Sequence, residues 1–195
     1  MNNNLKIKVI MGSTRENRFS DKPALWIFNF LKEIKEIEAE LLDLRDYPMP
    51  FFNSKLTPKQ IKDGNYGNEM VNTWSDKIKE ADAFIIVTPE YNHGYPAVLK
   101  NALDWLFYEW NNKPVGFVSY GTQAGARSVE QLRQVAIELQ MLPIRNAVHI
   151  PSHWTLLDEN GNLKDMAFKP FEKARSELVS QLVLLSNIIK KSENF

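Results

Sequence analysis

No cysteine occurs in the sequence. That absence excludes a disulfide framework, thiolate metal ligands and any mechanism built on a thiol nucleophile, and it accords with a reducing compartment. An excess of charge is missing too. The 24 basic and 24 acidic side chains leave a formal net charge of zero at pH 7, so the basic field that draws proteins to nucleic acid or anionic membranes is lacking. No apolar run approaches the roughly 20 residues that span a bilayer. The start, Met1-Asn2-Asn3-Asn4, carries neither the basic nor the apolar region of a secretory signal. These absences predict a cytoplasmic protein with no nucleic-acid and no membrane partner. Internal repeats and low-complexity tracts are absent as well. A chain of this length, 44% hydrophobic, suits a single domain over residues 1–195 that buries roughly 70% of its unfolded surface.

What is present is an alternation. Period-two apolar runs predict strands at Leu5–Met11, Ile37–Leu44, Ala83–Thr88, Lys113–Tyr120 and Ile144–Ile150. Helical patterns fall between and after them, at Asp21–Lys35, Asn68–Glu80, Pro96–Trp110, Ser128–Gln140 and Lys169–Lys190. Five strands separated by helices imply right-handed crossovers and a parallel sheet covered on both faces. The runs Phe84-Ile85-Ile86-Val87 and Val115-Gly116-Phe117-Val118 are apolar throughout, as expected of central strands. The proline-rich stretch Arg45–Gly67 predicts a long irregular loop.

In an open parallel sheet, ligands sit beyond the carboxyl ends of the strands near the point where strand order reverses. The segments after the first, third and fourth strands are the ones to inspect. The first is Gly12-Ser13-Thr14-Arg15-Glu16-Asn17-Arg18-Phe19-Ser20, where hydroxyls, two guanidiniums and free backbone amides converge on a helix N-terminus. Such a junction is an anion site, because the helix end supplies partial positive charge and unpaired N–H donors while arginine adds bidentate bonds to phosphate oxygens. A phosphorylated ligand is expected there. The second segment is Thr88-Pro89-Glu90-Tyr91-Asn92-His93-Gly94-Tyr95-Pro96, and the third is Ser119-Tyr120-Gly121-Thr122-Gln123-Ala124-Gly125-Ala126-Arg127.

With these three loops in this order, the chain from about residue 7 to about residue 150 resembles the NAD(P)H-dependent FMN reductases, the flavodoxin-like group that includes quinone and azo-dye reductases. The resemblance implies an α/β flavodoxin-like fold, a doubly wound five-stranded parallel sheet of order 2-1-3-4-5. It implies bound FMN, NADPH or NADH as reductant, and a small-molecule electron acceptor left open among quinones, azo dyes, nitroaromatics and free flavin. By the same resemblance Ser13, Arg15, Arg18 and Ser20 hold the FMN phosphate. Pro89, Glu90, Tyr91 and Asn92 run along the isoalloxazine ring, and Ser119, Tyr120 and Gly121 meet its pyrimidine side. Two positions depart from the family pattern. Thr122 stands where many relatives have glycine, so the backbone is expected to be more constrained there and a hydroxyl to replace an amide as the donor to the flavin. Ser20 stands where glycine is frequent, so helix capping is its other role.

Other readings compete at several residues. Arg15 and Arg18 could be solvated loop arginines, and Tyr91 and Tyr95 could be packing residues. His93 has no carboxylate or serine partner in its motif and is read as a lining residue. Hydride chemistry on a flavin needs no carboxylate, so Glu90 takes a structural or ring-edge role and no catalytic residue is assigned. His149 and His153 have helical spacing, but Pro151 stands between them and no third ligand is near, which argues against a metal site. The segment Pro96–Trp110 is apolar over more of its circumference than a sheet can cover, and its surplus Trp and Tyr suggest a subunit interface in a homodimer or pair of dimers, as is typical of the family. The alternative activities are a flavodoxin-like electron carrier or a redox-sensing FMN protein with little turnover; a thiol phosphatase of similar topology is excluded by the missing cysteine.

Overall fold

A computed structural model describes residues 4–192. The Met1–Asn3 part of the leader reading lies outside them. Five parallel strands form one sheet in the order β2-β1-β3-β4-β5: β1 (Leu5–Met11), β2 (Ile37–Asp43), β3 (Ala83–Pro89), β4 (Pro114–Gly121) and β5 (Leu142–Pro151). The chain leaves β1 outward to β2, then returns across β1 to β3, so the order reverses between β1 and β3. The fold is α/β and doubly wound, as the alternation implied.

Helices α1 (Asp21–Lys32), α2 (Glu69–Lys79), α3 (Ala97–Asp104), α4 (Ala126–Glu138) and α5 (Glu172–Ser192) cover both faces. One face buries Val71, Trp74 and Ile78 of α2 with Leu99 and Leu103 of α3 and Val129 and Leu132 of α4. The other buries Ala24, Ile27 and Leu31 of α1 with Leu178, Val179 and Leu182 of α5. Every residue of β3 and β4 is buried, which is why both read as continuous apolar runs rather than alternating ones.

The sequence places one helix over Pro96–Trp110, and the structure corrects this. α3 stops at Asp104, and a separate 3-10 turn forms at Tyr108–Trp110. A straight helix cannot aim consecutive bulky side chains at one sheet. By unwinding at Trp105–Phe107 the chain buries Trp105, Leu106, Phe107 and Trp110 together, at 0–8% exposure. The indole N–H of Trp105 donates to Pro50 O at 2.8 Å and ties the break to the long loop. The aromatic surplus that suggested a subunit interface is therefore spent inside the chain's own core, apart from the exposed Tyr108.

A second correction concerns the loop at 45–67. It contains a 3-10 turn at Pro58–Gln60, started by proline and closed by Thr57 N–H donating to the Gln60 side chain at 2.9 Å. The last helical pattern likewise divides into a 3-10 turn at Lys169–Phe171 and α5.

Candidate functional site

The carboxyl ends of β1, β3, β4 and β5 surround a cleft of about 150 Å³ lined by Arg15, Arg18, Phe19, Pro89, Glu90, Tyr91, Tyr120, Gly121, Thr122, His153 and Trp154. Its floor is the loop between β1 and α1. There the carbonyls are taken from below: the guanidinium of Arg18 donates to Ser13 O, and that of Arg45 donates to Thr14 O and Arg15 O. Because the C=O and N–H of one peptide point opposite ways, fixing these carbonyls turns the following amides to the other side. Among the described residues no acceptor meets the amides of Thr14, Glu16 and Asn17. The Arg15 amide between them donates to the Ser13 hydroxyl at 3.4 Å, and clustered free amides of this kind suit an anion.

The two arginines of this loop part company. Arg15 is exposed, and its guanidinium meets no carboxylate among the described residues. Arg18 is 6% exposed. Its Nε donates to Asp21 at 2.9 Å, Nη1 to Asp43 at 2.7 Å as well as to Ser13 O, and Nη2 to Asp21 at 2.6 Å, to Asp43 and to Met11 Sδ. All five donors are used. Hydrogen bonding to Asp43 leads the causes that hold Arg18 firmly charged. Burial alone would raise Asp43, but bonds from Arg18 and from the Arg45 amide outweigh it and leave the carboxyl below its usual range. The charge of Arg18 is matched by these two carboxylates, and through Ser13 O it supports the loop from beneath while also lining the cleft.

Ser13 is fully buried and shares a 2.7 Å hydrogen bond with the Tyr91 hydroxyl. Ser20 is also fully buried; its hydroxyl meets that of Tyr120 at 2.6 Å and does not cap α1. Burial is the main cause that pushes the Tyr120 phenol well above its ordinary value. Ser119 faces away from the cleft, donating to Ala124 O at 2.7 Å and sharing a 2.8 Å bond with His149 Nδ1. Asn92 and His93 are exposed at the tip of a tight turn, both at positive φ, closed by reciprocal bonds between Tyr91 and Gly94. That geometry is a primed turn, and Asn tolerates it better than His does. Of the sequence-predicted residues, Arg15, Arg18, Pro89, Glu90, Tyr91, Tyr120 and Gly121 line the cleft; Ser13, Ser20, Asn92 and Ser119 lie behind or beside it.

Glu90 has a definite structural partner. Its carboxylate, 6% exposed at the side chain, accepts from Arg127 Nε at 2.6 Å and from the Arg127 backbone N–H at 3.2 Å. It thus places negative charge at the N-terminus of α4, where the helix dipole favours it, and clamps the β3 loop to the β4 loop. Between them Gly121 (φ +150°) and Gly125 (φ +72°) let the backbone turn; a Cβ on Gly125 would lie 2.7 Å from Ser119 Cβ and 2.9 Å from Tyr120 N.

Sequence reading missed Phe19, His153 and Trp154. Phe19 stacks edge-on to Tyr120 with centroids 5.1 Å apart, and His153 lies 4.7 Å from Phe19 and 5.0 Å from Tyr120. The rule about strand carboxyl ends, extended to the fifth strand, points straight at His153 and Trp154. His149 and His153 share no helical face: one is on β5, the other in the 3-10 turn His153–Leu156.

The family model for NADPH-dependent FMN reductases matches residues 5–155. The chain belongs to that family. An NAD(P)H-dependent FMN reductase of Schizosaccharomyces pombe is 40% identical over 148 residues, covering 75% of this chain and 74% of that protein. An NADPH:quinone oxidoreductase of Arabidopsis thaliana is 30% identical over 187 residues, covering 90% and 89%. Among solved structures, a flavoenzyme NAD(P)H:(acceptor) oxidoreductase from Paracoccus denitrificans superposes with a TM-score of 0.70 at 23% identity, over 94% of this chain and 98% of that one. The superposition speaks for the fold; the sequence matches carry the family. As an FMN reductase the chain is an oxidoreductase that uses FMN and a nicotinamide nucleotide. The donor set fits that cofactor: the Arg15 guanidinium and loop amides that meet no acceptor among the described residues suit a phosphate, while Pro89, Tyr91 and Trp154 supply apolar walls to the cleft.

Proposed function

We propose that the cleft over β1, β3, β4 and β5 is the FMN site, and that the chain transfers reducing equivalents from NADPH or NADH to quinones, with azo compounds, nitroaromatics and free flavin as further acceptors. The observation that carries this reading is the exposed Arg15 guanidinium, which lines the cleft and meets no carboxylate among the described residues, in the same loop as the amides of Thr14, Glu16 and Asn17, which meet no acceptor among those residues. Together they offer charge-assisted and neutral donors to one phosphate. When bound, FMN supplies the hydride-accepting and hydride-donating chemistry. The protein's part is orientation. Arg18, fixed by Asp21 and Asp43, keeps the phosphate loop in shape. The Glu90–Arg127 clamp holds the two ring-side loops at a fixed separation, and Gly121 permits close backbone approach. Thr122, exposed at the cleft, adds a hydroxyl donor at the ring edge.

Ser13, Ser20, Asn92 and Ser119 act in this reading from behind the site, through Tyr91, Tyr120, the primed turn and the Ala124 carbonyl respectively. The protein is read as one domain, cytoplasmic, working as a homodimer or a pair of dimers. No described helix is long and apolar enough to cross a membrane. The experiment is direct: the purified protein should be yellow, release FMN on denaturation and oxidise NADPH when menadione is added. Flavin without turnover would return the electron-carrier reading.

A further inference from the structure

His153 lines the cleft, and one of its ring nitrogens meets no partner among the described residues. Its ring packs against Phe19 at 4.7 Å, Tyr120 at 5.0 Å and Trp154 at 5.4 Å, so three aromatic side chains from three different segments fix its plane. Nδ1 is buried and has no hydrogen-bond partner among the described residues. A buried N–H without an acceptor is the rarer and costlier orphan. The neutral tautomer therefore carries its proton on Nε2, and protonation would have to put a second N–H into the apolar pocket. Burial first, and the field of Arg15 second, push the imidazole below its ordinary value. The other charged groups lining the same cleft are Arg18, already matched by Asp21 and Asp43, and Glu90, already matched by Arg127. Arg15 is thus the uncompensated charge that His153 faces.

We propose that His153 is a binding residue of the cofactor site, a neutral imidazole that donates its Nε2–H to the phosphoryl group held by Arg15. The proposal rests on the FMN site proposed above. An arginine and a neutral imidazole on one phosphate divide the work: the arginine supplies charge, and the imidazole a directed donor that needs no counter-ion. Three packed rings pre-orient that donor, so little rotamer freedom is lost when ligand arrives.

The test compares the dissociation constants of FMN and riboflavin, which lacks the phosphate, by fluorescence quenching on flavin-free protein at pH 7.5. Wild type is expected to prefer FMN. His153→Phe keeps the aromatic packing and should narrow that preference about 10-fold or more, the range for a lost hydrogen bond to a charged group; His153→Gln, which restores an N–H donor, should recover most of it. His153→Leu carries the same measurement if the Phe variant does not fold. Calorimetry of FMN binding in buffers of different ionisation enthalpy should show no net proton uptake. An unchanged FMN preference in His153→Phe, or equal weakening of both flavins, would overturn the assignment, as would a proton uptake present in wild type and missing in His153→Gln. Binding of neither flavin by the wild type would instead remove the FMN site on which the proposal stands.

Discussion

Arg18 and Asp43 join the loop after β1 to the end of β2 through a hydrogen bond of 2.7 Å between Nη1 and Oδ1, with a second between Nη2 and Oδ2. The guanidinium side chain is 2% exposed and that of the aspartate 19%. The pair helps to explain why a loop of nine residues without regular structure can be stiff enough to present amides to a ligand: its carbonyls are held by the guanidiniums of Arg18 and Arg45.

From this arrangement the two loop arginines should separate experimentally. Arg18→Met should lower unfolding stability by about 3 kcal/mol, the lower end of what breaking a buried pair costs, because Asp21 and part of Asp43 reach solvent. Arg15→Ala should change stability by less than about 0.5 kcal/mol, as exposed substitutions do, yet weaken FMN binding by about 1.5–3 kcal/mol. Denaturant melts of the flavin-free proteins beside FMN titrations decide this. Equal effects of the two variants on stability would contradict the division.

The same pair makes a pH prediction. Asp43 sits below the usual carboxylate range in the folded protein, so its contribution is fully present above the unfolded value near 3.9 and is lost as pH falls through the lower folded value. Stability should therefore decline on acidification below about pH 4. In Asp43→Asn that decline should be shallower, while stability at neutral pH drops by about 1–3 kcal/mol. Urea midpoints measured from pH 7 down to pH 2.5 would show both effects, and an unaltered acid limb would sink the assignment.

Gly125 offers a test of the third loop. At φ +72° and with a Cβ forced to 2.7 Å from Ser119 Cβ, alanine must strain the backbone or push the loop off β4. Gly125→Ala should cost about 1–3 kcal/mol, the range for a residue held in a left-handed conformation, and should loosen flavin retention as well. Gly161→Ala is the control, since its Cβ would meet nothing within 4 Å and only the conformational cost remains. Thermal melts of the two variants that coincide would contradict the packing argument.

Much of this architecture was legible in the chain because two periodicities alternate cleanly: β3 and β4 carry apolar runs, Phe84–Val87 and Val115–Val118, and are buried throughout, and the amphipathic stripes of α1 and α2 are confined to their helices. The break at Trp105–Phe107 was not legible, since local pattern favours helix through Trp110 and only the demand to bury four large side chains at once stops it. Within the site, the position of the anion loop followed from strand order. The division between Arg15 and Arg18 did not, because it depends on Asp43, 25 residues further on, meeting Arg18 across the sheet edge. His153 was hidden for a related reason: its spacing from His149 suggested metal chemistry, whereas its meaning lies in Phe19 and Tyr120, which reach it from two other strands' ends. Ser20 and Tyr120, a hundred residues apart, form a pair that no motif announces.

The claim on which the account turns is that the loop after β1 holds the phosphate of FMN. Phosphorus-31 NMR of FMN with one equivalent of flavin-free protein observes that group itself. The account predicts a resonance that shifts and broadens on adding wild type and moves back toward the free position with Arg15→Ala. A phosphorus signal unmoved by stoichiometric wild-type protein, at concentrations where the flavin absorbance shows binding, would contradict it.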